Sequence, residues 1–233
     1  ITSFASVYSV EWNCNSSTNT GKFKRSTNCT ILGNNYVTVA NTLEINGTST
    51  DMNNLVTITA ATDQRHFYLN SPNAKLIVRF IKLVGGNVPS SGTPTYSGGS
   101  ILIQSDGGEL NLFSSIISDN QAWYFGGGIC AFGDRHNTKT IINVYNSVIN
   151  NNQVFRSGGG GIYMFLSVSE IVNSTISNNQ AGYGNSAAPR DGGAMHIRGS
   201  DVTMKDTIIS NNRAGLNGGG LHILDTSSVV IRQ

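Results

Sequence analysis

One phrase occurs four times in the second half of the chain and decides the fold. Its copies are Ile117-Ser118-Asp119-Asn120-Gln121-Ala122, Ile149-Asn150-Asn151-Asn152-Gln153-Val154, Ile176-Ser177-Asn178-Asn179-Gln180-Ala181 and Ile209-Ser210-Asn211-Asn212-Arg213-Ala214. The last Asn of each copy falls at 120, 152, 179 and 212, which gives steps of 32, 27 and 33 residues. Self-similarity at such a spacing is the signature of a repeat architecture in which each unit stacks on the next.

Each copy is followed by a glycine run and a short alternating strand. These strands begin Gly127-Gly128-Ile129-Cys130-Ala131, Gly160-Gly161-Ile162-Tyr163-Met164, Gly193-Ala194-Met195-His196-Ile197 and Gly219-Gly220-Leu221-His222-Ile223. Three short strands with their turns use up about 25 residues, and no stretch sustains the apolar period of a helix. The sequence therefore predicts an all-β fold: a right-handed, single-stranded parallel β-helix, or solenoid, with three short strands per rung.

Stacking the repeats in this way produces columns of equivalent residues. Because strand side chains alternate, one apolar column is expected to point inward and the next outward. The predicted inward column just after the glycines contains Ile101, Ile129, Ile162, Met195 and Leu221. The amides at the corner are predicted to form a structural ladder, each donating to one neighbour and accepting from the other. Its members are Asn120, Asn152, Asn179 and Asn212.

The first part of the chain is less regular than the rest. Residues 1–45 are predicted to form an irregular N-terminal cap, in which a disulfide between Cys14 and Cys29 closes a polar loop. Residues 46–233 are predicted to form the β-helix. Its last strand, 229–233, is followed by no capping element, so we expect the native chain to continue there or another copy to stack on it.

Composition argues against several classes of partner. Only 12% of residues are charged and the formal net charge is +2, so no strong field attracts nucleic acid. No apolar run is long enough to span a bilayer, so we expect no insertion into a membrane. We also expect no cofactor. Cysteines and N-x-Ser/Thr sequons together indicate an extracellular or cell-surface location after secretion. The candidate glycosylation sites are Asn15, Asn28, Asn46 and Asn173.

The pairing of an x-x-Asn phrase with a Gly-Gly-Ala-Ile/Leu/Val strand resembles the repeats of the polymorphic outer-membrane protein family, known by their FxxN and GGA[ILV] motifs. The resemblance covers roughly residues 76–233. Ile replaces the family's Phe in all four phrases, and only Gly192-Gly193-Ala194 keeps the GGA form. The resemblance implies a surface-exposed adhesive or structural stalk.

Three groups of outward residues are candidates for binding. His196 and His222 fall in one outward column of adjacent rungs, where a metal is a weak possibility because no third ligand is evident. Phe132, Tyr163 and Phe165 belong to an apolar outward face, which either binds another protein chain or is covered by a loop. The loops after each phrase carry aromatic side chains suited to a glycan, to a protein partner or to simple loop packing. These are Trp123, Tyr124, Phe125, Phe155 and Tyr183.

These features favour a non-enzymatic extracellular protein. We expect a structural or adhesive subunit of a surface appendage or filament, self-associating head to tail or laterally through strand edges and the apolar face. One alternative is a polysaccharide lyase, hydrolase or epimerase on a pectate-lyase-like scaffold, which needs several acids, or an acid and a base, converging on one face. The acids are scattered in the sequence and no catalytic set is recognised. The other alternative is a glycan-binding module.

Overall fold

The computed structural model describes residues 10–14, 20–31, 36–90, 96–104, 108–134, 139–182 and 191–233. All regular structure in these ranges is β. The strands of the first half are β1 (Gly21–Arg25), β2 (Cys29–Thr30), β3 (Val37–Val39), β4 (Thr42–Gly47), β5 (Val56–Thr59), β6 (Phe67–Leu69), β7 (Lys75–Arg79), β8 (Ile81–Val84), β9 (Asn87–Val88), β10 (Ile101–Gln104), β11 (Glu109–Phe113), β12 (Ile116–Ser118), β13 (Gln121–Ala122) and β14 (Ile129–Phe132). Those of the second half are β15 (Thr140–Tyr145), β16 (Val148–Asn150), β17 (Gln153–Val154), β18 (Ile162–Phe165), β19 (Ser167–Val172), β20 (Thr175–Ser177), β21 (Gln180–Ala181), β22 (Met195–Arg198), β23 (Asp201–Lys205), β24 (Ile208–Ser210), β25 (Arg213–Ala214), β26 (Leu221–Leu224) and β27 (Ser228–Arg232).

The strands form four parallel sheets, in which each strand pairs with its counterpart one coil away. Sheet A contains β1, β4, β7, β11, β15, β19, β23 and β27; sheet B contains β2, β5, β8, β12, β16, β20 and β24; sheet C contains β3, β6, β10, β14, β18, β22 and β26; sheet D contains β9, β13, β17, β21 and β25. The chain runs through sheets A, B, D and C and then re-enters sheet A one coil further on. The predicted parallel β-helix is confirmed, and the two-residue strands of sheet D are an addition to the three predicted strands per rung.

The coils are not all the same size. In the described residues, coil 1 (β1–β3) and coil 2 (β4–β6) have three strands, whereas coils 3 to 7, which begin at β7, β11, β15, β19 and β23, have four. β27 lies one coil beyond β23. Six residues separate β2 from β3 in coil 1, but ten separate β12 from β14 in coil 4. The cross-section therefore widens after coil 2, and the added side is sheet D.

The predicted division at residue 45 is wrong, because the β-helix starts earlier. β1, β2 and β3 pair in parallel with β4, β5 and β6, so the described residues between 20 and 39 form a first coil. Sequence reasoning missed β1 because Phe23 is flanked by Lys22 and Lys24, which hides the apolar alternation of a strand at the end of the stack.

The segment that covers this first coil is short. Glu11 forms a parallel bridge to Lys24 at the outer edge of β1, and the fully buried Trp12 ring lies 6.1 Å from that of Phe67. The predicted disulfide between Cys14 and Cys29 is present and ties the segment to β2. These contacts remove the apolar end of the stack from water, which is the role that the sequence assigned to a larger cap.

The predicted inward columns form the core. Register is maintained through sheets A, B and C, so each column brings one apolar side chain from every coil into line. In the column just after the glycines, Ile101, Ile129, Ile162 and Met195 are all fully buried. Only the last coil departs from this, since Leu221 is half-buried.

The predicted Asn ladder is also present. Each side-chain amide donates to the Oδ1 atom of the next, at 2.9 Å from Asn120 to Asn152, 3.0 Å from Asn152 to Asn179 and 3.0 Å from Asn179 to Asn212. The same Oδ1 atoms also accept from the backbone N–H groups, as from Asn120 to Asn152 at 3.2 Å. The first three amides are fully buried, and the ladder satisfies polar groups that the corner removes from water.

The backbone conformation of the preceding residue explains why each ladder Asn follows another Asn or Asp. Asp119, Asn151, Asn178 and Asn211 all have left-handed backbones, with φ between 54° and 58°. Asn and Asp tolerate this conformation better than other side chains that carry a Cβ. The first residue of each pair therefore turns the chain and the second holds adjacent coils together.

A second ladder, of hydroxyl groups, was not predicted. Between sheets A and B the backbone N–H of Ser115 donates to Ser147 Oγ, and that of Ser147 donates to Ser174 Oγ, both at 3.1 Å. The sequence does carry the signal, because these serines recur at the steps of the Asn ladder, 32 and 27 residues apart. This corner is thus fixed in the same manner as the Asn corner.

Candidate functional site

The outward side of sheet C carries most of the predicted binding residues, and much of it is buried. Leu102 and Cys130 are fully buried and Tyr163 is 4% exposed. The loop before β14 covers them, because the Phe125 ring lies 4.3 Å from Tyr163 and 5.9 Å from Phe132. The prediction of an exposed apolar face is therefore wrong for these inner positions, and loop covering, the alternative left open by the sequence, is what the structure has. Phe132 and Phe165 remain half-buried at its margin.

Burial also determines the chemistry of this face. It raises the pKa of the Cys130 thiol well above its usual value and that of Tyr163 to about 12, because both charged forms would be poorly solvated. Cys130 is accordingly an inert thiol rather than a nucleophile. Beside it, a cavity of about 380 Å³ opens to solvent. Its lining residues are Tyr96, Ser97, Gln104, Tyr124, Phe125 and Phe132.

A second aromatic group lies on the edge formed by sheet D. The rings of Trp123 and Phe155, from adjacent coils, are stacked with centroids 4.3 Å apart and an interplanar angle of 10°. The guanidinium of Arg156 lies 5.2 Å from the centroid of Trp123. One face of each ring is therefore used for packing between coils, which favours the loop-packing interpretation for this pair. Tyr183, the remaining loop aromatic, lies outside the described residues.

The two outward histidines meet a third metal-ligating group. The rings of His196 on β22 and His222 on β26 are 4.9 Å apart, close to the predicted spacing. Asp191, which precedes β22, brings a carboxylate oxygen to the same place, so that one ligand atom from each residue lies within 4.8 Å of the others. Sequence reasoning found the pair but not the third ligand.

Asp191 is fixed by the neighbouring coils. Its Oδ1 atom accepts a hydrogen bond from the Asn217 N–H at 3.0 Å, and its backbone carbonyl accepts one from the Gly159 N–H at 3.0 Å. Its Oδ2 atom lies 3.6 Å from Nδ1 of His222, which is beyond hydrogen-bond distance. The carboxylate thus has one oxygen engaged and one directed at the histidine.

Both imidazoles have an unused nitrogen. The Nδ1 atoms of His196 and His222 are buried and form no hydrogen bond. Burial lowers the pKa of His196 to about 4, the neighbouring His222 acts in the same direction, and Asp191 opposes both. His196 is therefore neutral near pH 7, which is the form that coordinates a metal.

A signal for Asp191 does exist in the sequence. The residue four positions before each strand of sheet C forms its own column, which contains Ser97, Phe125, Gly158, Asp191 and Asn217. The backbone of this column is hydrogen-bonded coil to coil, from Gly126 N–H to the Gly158 carbonyl for example. Each member lies beside the outward column of sheet C, so this position decides whether an outward side chain meets an aromatic ring, empty space or a carboxylate.

Other acidic groups are paired with cations along the stack. Arg79 contacts Glu44 at 3.1 Å, Lys75 contacts Glu109 at 2.9 Å and Arg198 contacts Asp225 at 2.6 Å. Across the described ranges, Asp191, His196 and His222 are the one group of three or more acids, histidines and cysteines at metal-binding distances. Two members of this group, Asp191 and His196, are buried.

The sequons differ in accessibility. Asn28 and Asn173 are exposed, whereas Asn46 lies half-buried within β4. Asn173 donates its amide to Asn146 Oδ1 at 2.7 Å, an interaction that a glycan on the same nitrogen would alter. Asn15 lies outside the described residues. Accessibility thus favours Asn28 as an acceptor among the described sites.

Comparison with family models, curated proteins and solved structures yields no match to this chain. In the described part of the chain, no helix has the length and apolar character needed to cross a membrane.

Proposed function

We propose that the protein is a non-enzymatic, extracellular structural or adhesive β-helix that serves as a subunit of a surface appendage or filament. The observation that supports this proposal is the apolar surface at the end of the stack, on β26 and β27. Inward columns that are fully buried elsewhere end in Ile223, 45% exposed, and Ile231, 62% exposed. Such a surface gains stability when a further coil covers it, whether from the same polypeptide or from another copy.

The shape of the stack limits which surface is complementary to this end. The exposed end of the stack consists of the four strands β24, β25, β26 and β27, whereas coil 1 has three strands in its described residues and is covered by the segment around Trp12. A four-sided coil offers more strand edges than a three-sided one can pair. The preferred partner is therefore another four-sided coil, supplied by continuation of the stack or by the same end of a second copy. Contact between the same ends of two copies closes into a dimer, so growth into a filament requires continuation of the stack or a further lateral contact. This is a narrower proposal than head-to-tail stacking of identical subunits.

Assembly state tests the proposal directly. Light scattering and electron microscopy of the purified chain should detect association through the end of the stack, and Ile231→Asp should abolish it, because a carboxylate would be buried in the contact. Val168→Asp is the matched control, since Val168 is 37% exposed on the outward side of sheet A. Dispersed single rods at high concentration, or loss of association in the Val168 variant alone, would rule out stacking through this end.

A glycan-binding module is the second candidate, because of the cavity beside Phe132. Aromatic walls from Tyr96 and Tyr124 with an amide from Gln104 suit the apolar face and hydroxyls of a sugar ring. Glycan-array binding that disappears in Tyr124→Ala would support it. Trp123→Ala should weaken binding only if the stacked pair on sheet D, rather than this cavity, is the site. Absence of binding to any glycan would dismiss the candidate.

A further inference from the structure

We propose that Asp191, His196 and His222 form a binding site for a divalent transition-metal ion, of which Zn²⁺ fits best. One carboxylate and two imidazoles are donors that Zn²⁺ and its neighbours in the first transition series prefer. Ca²⁺ and Mg²⁺ require mainly oxygen ligands, which this group does not supply. Three protein ligands leave a fourth position for water.

The distances are close to those that coordination requires. Two atoms bound at the usual Zn–N and Zn–O lengths of a tetrahedral ion are about 3.4 Å apart. His222 Nδ1 and Asp191 Oδ2 are already 3.6 Å apart, and the most distant pair in the group is within 4.8 Å. Rotation of an imidazole about its side-chain bonds provides the remaining contraction, which is about 1.4 Å at most.

The surroundings are those of a built site rather than a chance cluster. Asp191 is 5% exposed and His196 is 7% exposed, yet the Nδ1 atom of His196 makes no hydrogen bond of good geometry, although the backbone carbonyl of Asp191 is close enough to favour the protonated ring. A buried polar atom without a partner costs stability unless a bound group such as an ion satisfies it. A simple pair between Asp191 and His222 would leave His196 unsatisfied, whereas one bound ion satisfies all three residues.

Gly158 provides the space that the site needs. A Cβ atom at this position would lie 2.2 Å from Nδ1 of His196 and 2.6 Å from the carbonyl oxygen of Asp191. Gly158 does not have a left-handed backbone, so the requirement for glycine here arises from the close approach of the imidazole. Asn217 completes the surroundings by holding Oδ1 of Asp191 and thereby orienting Oδ2 toward the ring nitrogens.

A bound ion would join two coils. Asp191 and His196 both belong to coil 6, and His222 belongs to coil 7. The ion would therefore hold the last two coils together on the outward side of sheet C. All three ligands come from one chain, so the inference does not depend on how the protein assembles.

The test uses the tag-free full chain, freed of metal by a chelator and then dialysed near neutral pH. Calorimetric titration with Zn²⁺ should show one ion per chain, and Co²⁺ should give the visible absorption of a four-coordinate site and be displaced by Zn²⁺. His222→Ala and Asp191→Asn should bind neither ion measurably. Gly158→Ala should lower the affinity about 10- to 100-fold, because it displaces a ligand without removing it.

Asp225→Asn is the control, because Asp225 is an exposed carboxylate near the site that pairs with Arg198 instead. It should bind Zn²⁺ like the parent chain. Circular dichroism identifies variants that remain folded, and His222→Ala is the most secure of them because its ring is at the less buried end of the site. Failure of the parent chain to bind one equivalent, unchanged binding in both folded ligand variants, or preference for Ca²⁺ over Zn²⁺ would overturn the proposal.

Discussion

Asn152 provides the sharpest test of how the coils are held together. Its Oδ1 atom accepts from the backbone N–H of Asn120 at 3.2 Å and from the Asn120 amide at 2.9 Å. Asn152→Ala would leave both of these buried donors without that acceptor. At about 1–3 kcal/mol for each unsatisfied group the loss is about 2–6 kcal/mol. The Leu83 carbonyl lies 3.4 Å from the side-chain amide nitrogen of Asn120 and can replace the lost acceptor for that donor. Only the backbone N–H of Asn120 then lacks an acceptor, so we expect a loss in the lower half of that range.

The adjacent residue is a matched comparison. Asn151 is exposed and has a φ of 56°, so Asn151→Gly retains the turn and should change the free energy of unfolding by less than about 1 kcal/mol. Asn212→Ala, at the half-buried end of the ladder, should cost less than Asn152→Ala because water can replace the lost amide.

Urea unfolding followed by circular dichroism measures these differences. Repeat proteins can unfold in more than one step, so the midpoint and the slope should be compared together. Equal stability of Asn152→Ala and Asn151→Gly would refute the view that the ladder amides, rather than the turns, hold the coils together.

Four further outcomes follow from buried groups. The pKa of His66, which contacts two backbone carbonyls, is lowered by burial from 6.5 to about 4, so the unfolded chain alone binds a proton between these pH values. The free energy of unfolding should therefore fall by about 3 kcal/mol as pH drops through this window, and a flat pH–stability profile would contradict this. Phe125→Ala should accelerate the reaction of Cys130 with a thiol reagent, because it uncovers the buried sulfur; an unchanged rate would show that another segment covers it. Reduction of the disulfide between Cys14 and Cys29, 15 residues apart, should cost about 3 kcal/mol in a denaturant titration, and no shift would mean that the covering segment docks without it. Zn²⁺ at about 100 times its dissociation constant should stabilise the chain by about 2.7 kcal/mol in the same assay, and His222→Ala should remove this gain.

Much of the fold was predictable because the repeats constrain the same positions several times. A single Ile in an apolar stretch is weak evidence for a core, but equivalent residues such as Ile129 and Ile162 each fall at the same distance from a glycine run. The ladder residues are identifiable for the same reason. The ends of the stack have fewer neighbours, which is why β1 was assigned to the irregular cap rather than to the first coil.

The candidate site was harder to predict, because it depends on loops whose lengths differ between coils. The pairing of His196 with His222 follows from strand register alone. Asp191 lies in the 13-residue segment between β21 and β22, whereas the corresponding segments of coils 4, 5 and 7 have only 6 or 7 residues. Only its position four residues before the strand reveals its location. Covering of the outward face by a loop was one of two alternatives left open by the sequence, but Phe125 was not identified as the residue that covers Tyr163, for the same reason.

The regular coils have a consequence for the length of the molecule. In coils 4 to 6 the same four strands and the same ladders recur. Each of these coils therefore presents the same hydrogen-bonding pattern to the coil that follows it. Duplicating or deleting one whole coil, such as the 27-residue step from Asn152 to Asn179, would preserve the pairing on both sides. Each such event would change the length of the rod by about 4.8 Å. Recombination between repeats can therefore change the length of the stack in steps of one coil while the contacts between coils stay the same.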